Sequence, residues 1–139
     1  MEEPHIGYMI KQVDDRLQAN GDAAFRQYGL TFAQSRVLAF LAHNGDQATQ
    51  KDLERHLHVA HPTVAGIVAR MEDNGFLTHS ADPRDRRNKI IRLTPQAQAM
   101  QYKMRDLVMQ GEARMIKGLT AEDVIRLQGY LRKMYDNLQ

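Results

Sequence analysis

The 139-residue chain is predicted to be mainly α-helical with one small β-hairpin. In six stretches, apolar residues recur every three or four positions, which is the spacing of one face of a helix. Residues 76–93 depart from this spacing, because two short apolar runs flank a polar segment rich in turn residues. Threonines that can start helices and glycines that can end them separate the stretches. A chain of this length suits one domain, with or without helical extensions.

Composition excludes several classes of protein. The chain has no cysteine, so disulfides, thiolate nucleophiles, iron–sulfur clusters and thiol redox sensing are excluded. The longest apolar run is six residues, 37–42, whereas a membrane span needs roughly 20. The acidic start Met1-Glu2-Glu3 is unlike a signal peptide. We therefore expect a soluble cytoplasmic protein without a membrane partner.

The first two helices are separated near residue 30. The first helix has Gly21 as a weak point and Gly29 as its end, and its apolar stripe is Ile6, Met9, Ile10, Val13 and Leu17. The second begins at Thr31, which forms a capping-box pattern with Gln34, and ends at the turn signal Asn44-Gly45.

The third and fourth helices follow closely. Thr49, with Asp52 three residues on, caps a short third helix. The fourth is predicted from about Ala60 to Asn74, since Pro62 suits a first turn and Gly75 suits the position after the end. Its apolar stripe consists of Val64, Ile67, Val68 and Met71.

A hairpin and two more helices complete the chain. Phe76-Leu77 and residues 90–93 are the strand candidates, and residues 82–88 form the polar tip. Thr94-Pro95 starts the fifth helix, which is expected to end near Gly118. Thr120 caps the sixth helix, whose apolar seam repeats every three or four residues through Val124, Leu127, Leu131, Met134 and Leu138.

Helices two to four followed by the hairpin predict a winged helix-turn-helix. The turn between helices three and four, residues 57–59, is short, so the fourth helix presents one face outward. That face is small or hydrogen-bonding, as entry into a major groove roughly 12 Å wide requires. It comprises Ala60, His61, Pro62, Thr63, Ala65, Gly66 and Arg70. The alternative is a surface helix with incidental small residues.

The hairpin tip is strongly basic. Residues 84–92 carry five basic side chains and one carboxylate, which favours contact with a polyanion over a merely solvated loop once the preceding helix is considered. Arg86 and Arg87 are candidates for the minor groove, and Arg84 and Lys89 for phosphates. Asp85 is expected to orient a neighbouring arginine. The start of the third helix, with Thr49, Gln50 and Lys51, offers backbone N–H groups and an ammonium to phosphate.

These segments resemble the multiple antibiotic resistance regulator (MarR) family. Residues 63–77 look like the family's recognition helix and its exit into the wing, and residues 82–87 look like its wing tip. Asp85 and Arg87, separated by five residues from Leu93-Thr94, match the wing signature Asp-x-Arg-x5-Leu-Thr. The resemblance covers essentially the whole chain and implies a DNA-binding transcriptional regulator, with a protein-interaction module as the alternative. Ala60 stands where relatives often have serine, which weakens the helix cap by about 1 kcal/mol.

The resemblance also implies an assembly and a ligand. Residues 1–28 and 95–139 would be the dimerisation helices of a homodimer, and residues 29–94 the DNA-binding lobe, reading a pseudo-palindrome. The alternative is that the seam of the sixth helix packs inside its own chain. A small aromatic or phenolic effector would bind where the dimer helices meet the lobe. The candidates are Tyr8, Met9, Val13, Arg16, Phe32, Phe40 and Met104.

Three histidines, His56, His58 and His61, cluster in the sequence around the helix-turn-helix turn. They lack an evident carboxylate or histidine partner set, so a metal site is disfavoured and no metal or cofactor is expected. Protonation of these histidines is an alternative role, since it would strengthen phosphate contacts. No phosphate-binding glycine loop, nucleophile elbow or zinc-hydrolase motif is present, so an enzyme is not expected.

Overall fold

Six helices and three short strands make up residues 3–139, the part of the chain that the computed structural model describes. Met1 and Glu2, which belong to the acidic start and to the predicted N-terminal segment 1–28, lie outside the described residues. The order is α1 (Ile6–Phe25), a 3-10 turn (Arg26–Tyr28), α2 (Phe32–His43), β1 (Gln47–Thr49), α3 (Gln50–Leu57), α4 (His61–Asp73), β2 (Leu77–Ala81), β3 (Lys89–Leu93), α5 (Pro95–Met115) and α6 (Ala121–Asn137). The predicted mainly helical winged helix-turn-helix is confirmed.

Helix starts follow the predicted caps. Thr31, Thr49 and Thr120 each form a complete capping box, and the Thr94 hydroxyl accepts a hydrogen bond from the third residue of α5. Ala60 occupies the cap position of α4 without any side-chain cap bond. The first turn of α4 is therefore less well secured than those of the other capped helices.

The structure differs from the prediction at Gly21 and at the ends of α1 and α5, since α1 ends at Phe25 and a 3-10 turn continues from there to Gly29. Gly21 does not weaken α1, which continues unbroken to Phe25. The glycine is needed for a close helix crossing, since a Cβ at Gly21 would lie 2.3 Å from Cδ2 of Phe32 in α2. Asp22 reinforces the crossing, because its Oδ1 accepts a 2.7 Å hydrogen bond from the Phe32 N–H. At the other end, α5 stops at Met115, ahead of the left-handed Gly118 that was expected to end it.

The hairpin is part of a three-stranded antiparallel sheet with strand order β1-β3-β2. Strand β1 was not predicted. It is three residues long, and its register, with Ala48 opposite Ile91, depends on a partner more than forty positions away. On the outer face, Arg92 of β3 donates to Gln47 Oε1 at 3.1 Å and to Ser80 Oγ at 2.6 Å. This one guanidinium therefore links all three strands.

The core lies within the helix-turn-helix lobe. Helices α2, α3 and α4 contribute fully buried aliphatic side chains, and the inner face of the sheet closes the core with Leu77, Ile91 and Leu93. Burying such a side chain stabilises the folded state by about 1.5–3 kcal/mol. Among the described residues, the outer helices contribute buried side chains to this core at Phe25 of α1 and at Ala97 and Met104 of α5, and Met100 and Leu107 of α5 pack against it half-buried.

Asp46 connects the lobe to α5. Its backbone is left-handed, with φ of 68°, and its N–H donates to Leu41 O at 2.8 Å while its carbonyl accepts from the Leu93 N–H at 3.0 Å. Its carboxylate accepts hydrogen bonds from the side-chain amides of Gln98 at 3.2 Å and Gln101 at 3.4 Å. One residue thus joins the end of α2, the sheet and the first turns of α5.

The outer helices leave a large apolar surface uncovered. Helix α6 contains no buried residue, and Leu127, Leu131 and Leu138 of its seam are 41%, 42% and 87% exposed. The alternative that this seam packs inside its own chain is therefore wrong. The N-terminal half of α1 is similarly exposed at Ile6, Tyr8, Met9, Ile10 and Val13. Within residues 3–139, no helix has both the length and the apolar character needed to span a membrane.

Candidate nucleic-acid interface and ligand crevice

Helix α4 presents the predicted outward face. Val64, Val68 and Met71 are buried against the lobe and Ile67 is half-buried, which fixes the rotation of the helix. The opposite face is exposed at Ala60, His61, Pro62, Thr63 and Arg70, and half-buried at Ala65 and Gly66. Small side chains at the start of a helix allow its backbone to approach a groove closely, while His61 and Thr63 supply hydrogen-bonding atoms.

His61 is held by α3. Its Nδ1 contacts Oε1 of Glu54, and the Gln50 side-chain nitrogen lies 3.4 Å from the same Nδ1. The His61 side chain is 69% exposed, whereas that of Glu54 is only 20% exposed. The carboxylate therefore orients the imidazole from the inner side. Sequence reasoning missed Glu54, because the two residues lie seven positions apart across a turn and share no local pattern.

The start of α3 offers less to a phosphate than predicted. The Thr49 hydroxyl is engaged in capping, since it accepts the Asp52 N–H at 3.1 Å. The Gln50 side chain is 6% exposed and points toward α4, so only its backbone N–H remains suited to a phosphate. Lys51 is exposed. The groups of this turn that can bind a phosphate are therefore the Lys51 ammonium and the first backbone N–H groups of α3.

The wing tip is shaped by two aspartates. Asp82 Oδ1 accepts from the Arg84 N–H at 2.9 Å, and Asp85 Oδ1 accepts from the Arg87 N–H at 3.1 Å. Asp85 also lies 3.5 Å from Nε of Arg87, which is the orienting role predicted for it. The four basic side chains of the tip are exposed, and they are Arg84, Arg86, Arg87 and Lys89. Within the described residues, Arg86 makes no side-chain hydrogen bond or salt bridge.

A second histidine–carboxylate pair joins the recognition helix to the wing. His79 of β2 has its Nδ1 2.6 Å from Oε1 of Glu72, in the last turn of α4. Like Glu54 and His61, these residues lie seven positions apart and were not identified from sequence. The contact fixes the base of the wing relative to α4.

The three histidines around the turn do not converge. His56 stacks on Phe40 of α2 with ring centroids 4.4 Å apart, while the His58 ring lies 6.3 Å from that of Tyr135 in α6. His61 faces Glu54 instead. Among residues 3–139 there is no group of three side chains able to hold a metal ion.

A crevice of about 980 Å³ lies between α1 and α5, with Phe25 and Phe32 among its walls. Of the seven predicted ligand residues, Val13, Arg16 and Phe32 line it. Arg114 and Glu112 of α5 add charged groups on the opposite side. The volume is at the upper end of the range usual for small-molecule sites.

The other four predicted ligand residues lie elsewhere, and they are Tyr8, Met9, Phe40 and Met104. Tyr8 and Met9 precede the crevice along α1 and are exposed. Phe40 stacks on α3, and Met104 faces the core. The sequence pattern places apolar residues on a helical face but does not specify which stretch of that face borders a cavity.

Comparison with known proteins agrees with this geometry. Residues 28–88 match the model of the MarR family. The HTH-type transcriptional repressor IacR of Pseudomonas putida is 26% identical over 132 residues, which cover 95% of this chain and 78% of IacR. The transcriptional activatory protein BadR of Rhodopseudomonas palustris is 28% identical over 141 residues, covering 95% of this chain and 77% of BadR.

Solved structures share the fold over nearly the full length. S. aureus MepR, in a complex with DNA, superposes with a TM-score of 0.91 at 24% identity, covering 99% of this chain and 100% of MepR. Bordetella bronchiseptica BpsR, whose DNA binding is regulated by 6-hydroxynicotinic acid, superposes with a TM-score of 0.85 at 27% identity. The superposition covers 95% of this chain and 94% of BpsR. The winged helix-turn-helix lobe is thus similar to the MarR family over residues 28–88, and the chain as a whole is similar to the transcriptional regulators IacR and BadR and shares the fold of MepR and BpsR.

Proposed function

We propose that the protein is a homodimeric DNA-binding transcriptional regulator, acting in the cytoplasm as a ligand-responsive repressor at a pseudo-palindromic operator. One observation carries the proposal: the outward small-residue face of α4 is combined with a wing tip whose four basic side chains are exposed. A winged-helix module that binds only proteins would not need this combination. The similarity to the MarR family also favours DNA binding over that alternative and over catalysis.

Each part of the lobe has a distinct task in this proposal. Helix α4 enters the major groove, where Thr63 and His61 contact base edges and the small residues allow close approach. Arg86 and Arg87 enter the minor groove, while Arg84, Lys89 and Lys51 contact phosphates. Phosphate contacts position the protein, and base contacts select the sequence.

The homodimer would be formed by residues 1–28 and 95–139. The exposed apolar residues of α1 and α6 form a surface that a small monomer rarely leaves in water. A twofold axis would place two copies of α4 about one helical turn of DNA apart, roughly 10 bp. Residues 29–94 would then each read one half-site.

We propose that the protein represses transcription by occupying a promoter. The relatives include both the repressor IacR and the activatory protein BadR, so the position of the operator relative to the promoter decides the outcome. The protein surface that binds DNA is the same in either case.

The salt dependence of DNA binding tests the proposal. We expect in vitro selection with the full chain to recover a pseudo-palindrome with half-sites about one turn apart. Contact with about six to ten phosphates by the dimer would lower its affinity by about 10³- to 10⁵-fold between 50 and 200 mM salt. Absence of enrichment together with salt-independent association would contradict a DNA-binding function.

The crevice between α1 and α5 is the proposed effector site. Its apolar walls at Val13 and Phe32 suit an aromatic ring, and Arg16 suits a carboxylate. BpsR, whose regulation involves 6-hydroxynicotinic acid, provides a precedent for an aromatic acid. An effector that prefers a dimer with different α4 spacing would shift the population away from the DNA-binding form.

Replacing Arg16 with alanine should weaken effector binding by about ten-fold or more, because a charged hydrogen bond to the carboxylate is lost. Calorimetry with benzoate, salicylate and 6-hydroxynicotinate would measure this. Arg105→Ala is the matched control, since Arg105 is exposed on α5 outside the crevice. An acid that binds the crevice but leaves DNA affinity unchanged would contradict the proposed switch.

A further inference from the structure

His61, the first residue of α4, has one of its two ring nitrogens in contact with side chains of α3. His61 begins the helix, and both hydrogen-bond contacts that it makes within residues 3–139 involve Nδ1. Its other ring nitrogen, Nε2, makes no such contact in this part of the chain. Because the side chain is largely exposed at the end of the helix that contacts base edges, Nε2 is available to DNA.

Glu54 determines which nitrogen carries the proton. An ionised carboxylate only accepts hydrogen bonds, so the imidazole must present an N–H to it at Nδ1. Gln50 is compatible with this arrangement, because rotation of its amide by 180° presents the oxygen to Nδ1 in place of the nitrogen. The neutral imidazole therefore carries its proton on Nδ1 and presents the lone pair of Nε2 outward.

Within the described residues, no other charged group of α3 or of the turn after it contacts His61. Helix α3 and the turn that connects it to α4 carry the titratable or charged residues Lys51, Asp52, Glu54, Arg55, His56 and His58. Asp52 completes the capping box of α3, His56 stacks on a phenylalanine of α2, and His58 lies beside a tyrosine of α6. Glu54 is the one carboxylate in contact with His61 within the described residues.

We propose that His61 is a pH-dependent base reader whose hydrogen-bonding polarity is set by Glu54. In the neutral form, Nε2 accepts a hydrogen bond and selects a base that donates in the major groove, adenine through N6 or cytosine through N4. In the protonated form, Nε2–H donates and selects a base that accepts in the major groove, which guanine does through N7 or O6, thymine through O4 and adenine through N7, and cytosine does not. Histidine is the side chain that ordinarily changes charge between pH 5 and 8. This inference rests on the proposed DNA-binding function and adds a specificity change to it.

The experiment compares base preference at two pH values. An operator is first selected with the full chain at pH 8.0. The base pair that His61 contacts is then identified as the operator position at which His61→Asn changes the preferred base. Four duplexes that differ only at that pair are then titrated at pH 8.0 and 5.5 at constant salt. We expect cytosine to be preferred over guanine and thymine about two- to ten-fold at pH 8.0, and guanine or thymine to be preferred over cytosine by a similar factor at pH 5.5, while adenine, which offers both N6 and N7, is accepted at both pH values.

Two variants and one control separate tautomer control from general effects. His61→Asn should show the same preference at both pH values, because an amide does not titrate. Glu54→Gln should reduce the preference at pH 8.0 toward unity, because the amide can donate to Nδ1 and allow the other tautomer. Glu72→Gln makes the same substitution in the other histidine–glutamate pair and should leave the inversion intact. Circular dichroism at both pH values checks that each variant is folded.

The outcomes distinguish this inference from the function on which it rests. Sequence-specific binding with one preference at both pH values would overturn the inference and leave the regulator intact. An equal gain in affinity for all four duplexes at pH 5.5 would also overturn the inference, because it would mean that His61 contacts a phosphate and not a base. An inversion that survives in Glu54→Gln would overturn the role of Glu54. Failure to bind any duplex in a salt-dependent way at either pH would instead overturn the proposed function.

Discussion

Replacing Leu127 and Leu131 together with aspartate should convert the protein into monomers and lower operator affinity by about 10²- to 10⁴-fold. Both side chains are about 40% exposed on α6, so the carboxylates would be tolerated in a single chain but not inside an apolar interface. A monomer contacts one half-site and loses the advantage of binding two linked sites. Sedimentation velocity and operator titration would measure the two effects.

A matched control for this pair is available on the same helix. Gln128→Asp with Asn137→Asp adds the same charge at exposed polar positions of α6. This variant should remain dimeric and keep its operator affinity within a few-fold. If the leucine variant stayed dimeric, the seam of α6 would not be the interface. If it became monomeric yet bound the operator normally, the two-half-site arrangement would be wrong.

Replacing Arg86 with alanine should lower affinity for all duplexes by about 10- to 100-fold, with little change in base preference. The reason is that Arg86 is exposed at the wing tip and is not held by an acidic neighbour, unlike Arg87, which Asp85 orients. Loss of one ionic contact on each of two wings should reduce the slope of log K against log salt by about 2. Titrations at four salt concentrations would provide the slope.

The exposed Arg105 of α5 serves again as the comparison, since Arg105→Ala removes the same charge far along the chain from the wing. It should leave both affinity and slope nearly unchanged. An Arg86→Ala slope equal to that of the unmodified protein would place the wing tip outside the DNA interface. A loss of affinity that is confined to particular DNA sequences would instead show that Arg86 reads bases.

Local signals predicted most of the fold. Every threonine predicted to cap a helix does so, because a cap depends only on residues three positions apart. The buried stripe of α4 was predicted for the same reason, since its spacing alone specifies which side faces the lobe. Strand β1 was missed, because its identity comes from pairing with β3 and not from its own three residues.

The site was predictable to a smaller extent. The outward face of α4 and the basic wing follow from composition and period, but the orientation of His61 depends on Glu54 in another helix. The buried Gln50 illustrates the opposite error, since its position at a helix start suggested exposure, while packing against α4 encloses its side chain. In the crevice, sequence identified Val13 and Arg16 but not Arg114, because the relative rotation of α1 and α5 is a tertiary property.

Asp46 holds α5 near its N-terminal end, so a change in the direction of the helix displaces its C-terminal end most. The helix has 21 residues and is therefore about 30 Å long, and the two glutamines that grip Asp46 lie within its first two turns. A change of about 5° in the direction of α5 at this pivot corresponds to a displacement of about 2.6 Å at its far end. If the far ends are clamped in a dimer, the same rotation is delivered to the lobes. A ligand that separated α1 from α5 by this small angle would thus produce a shift comparable to most of a base-pair step.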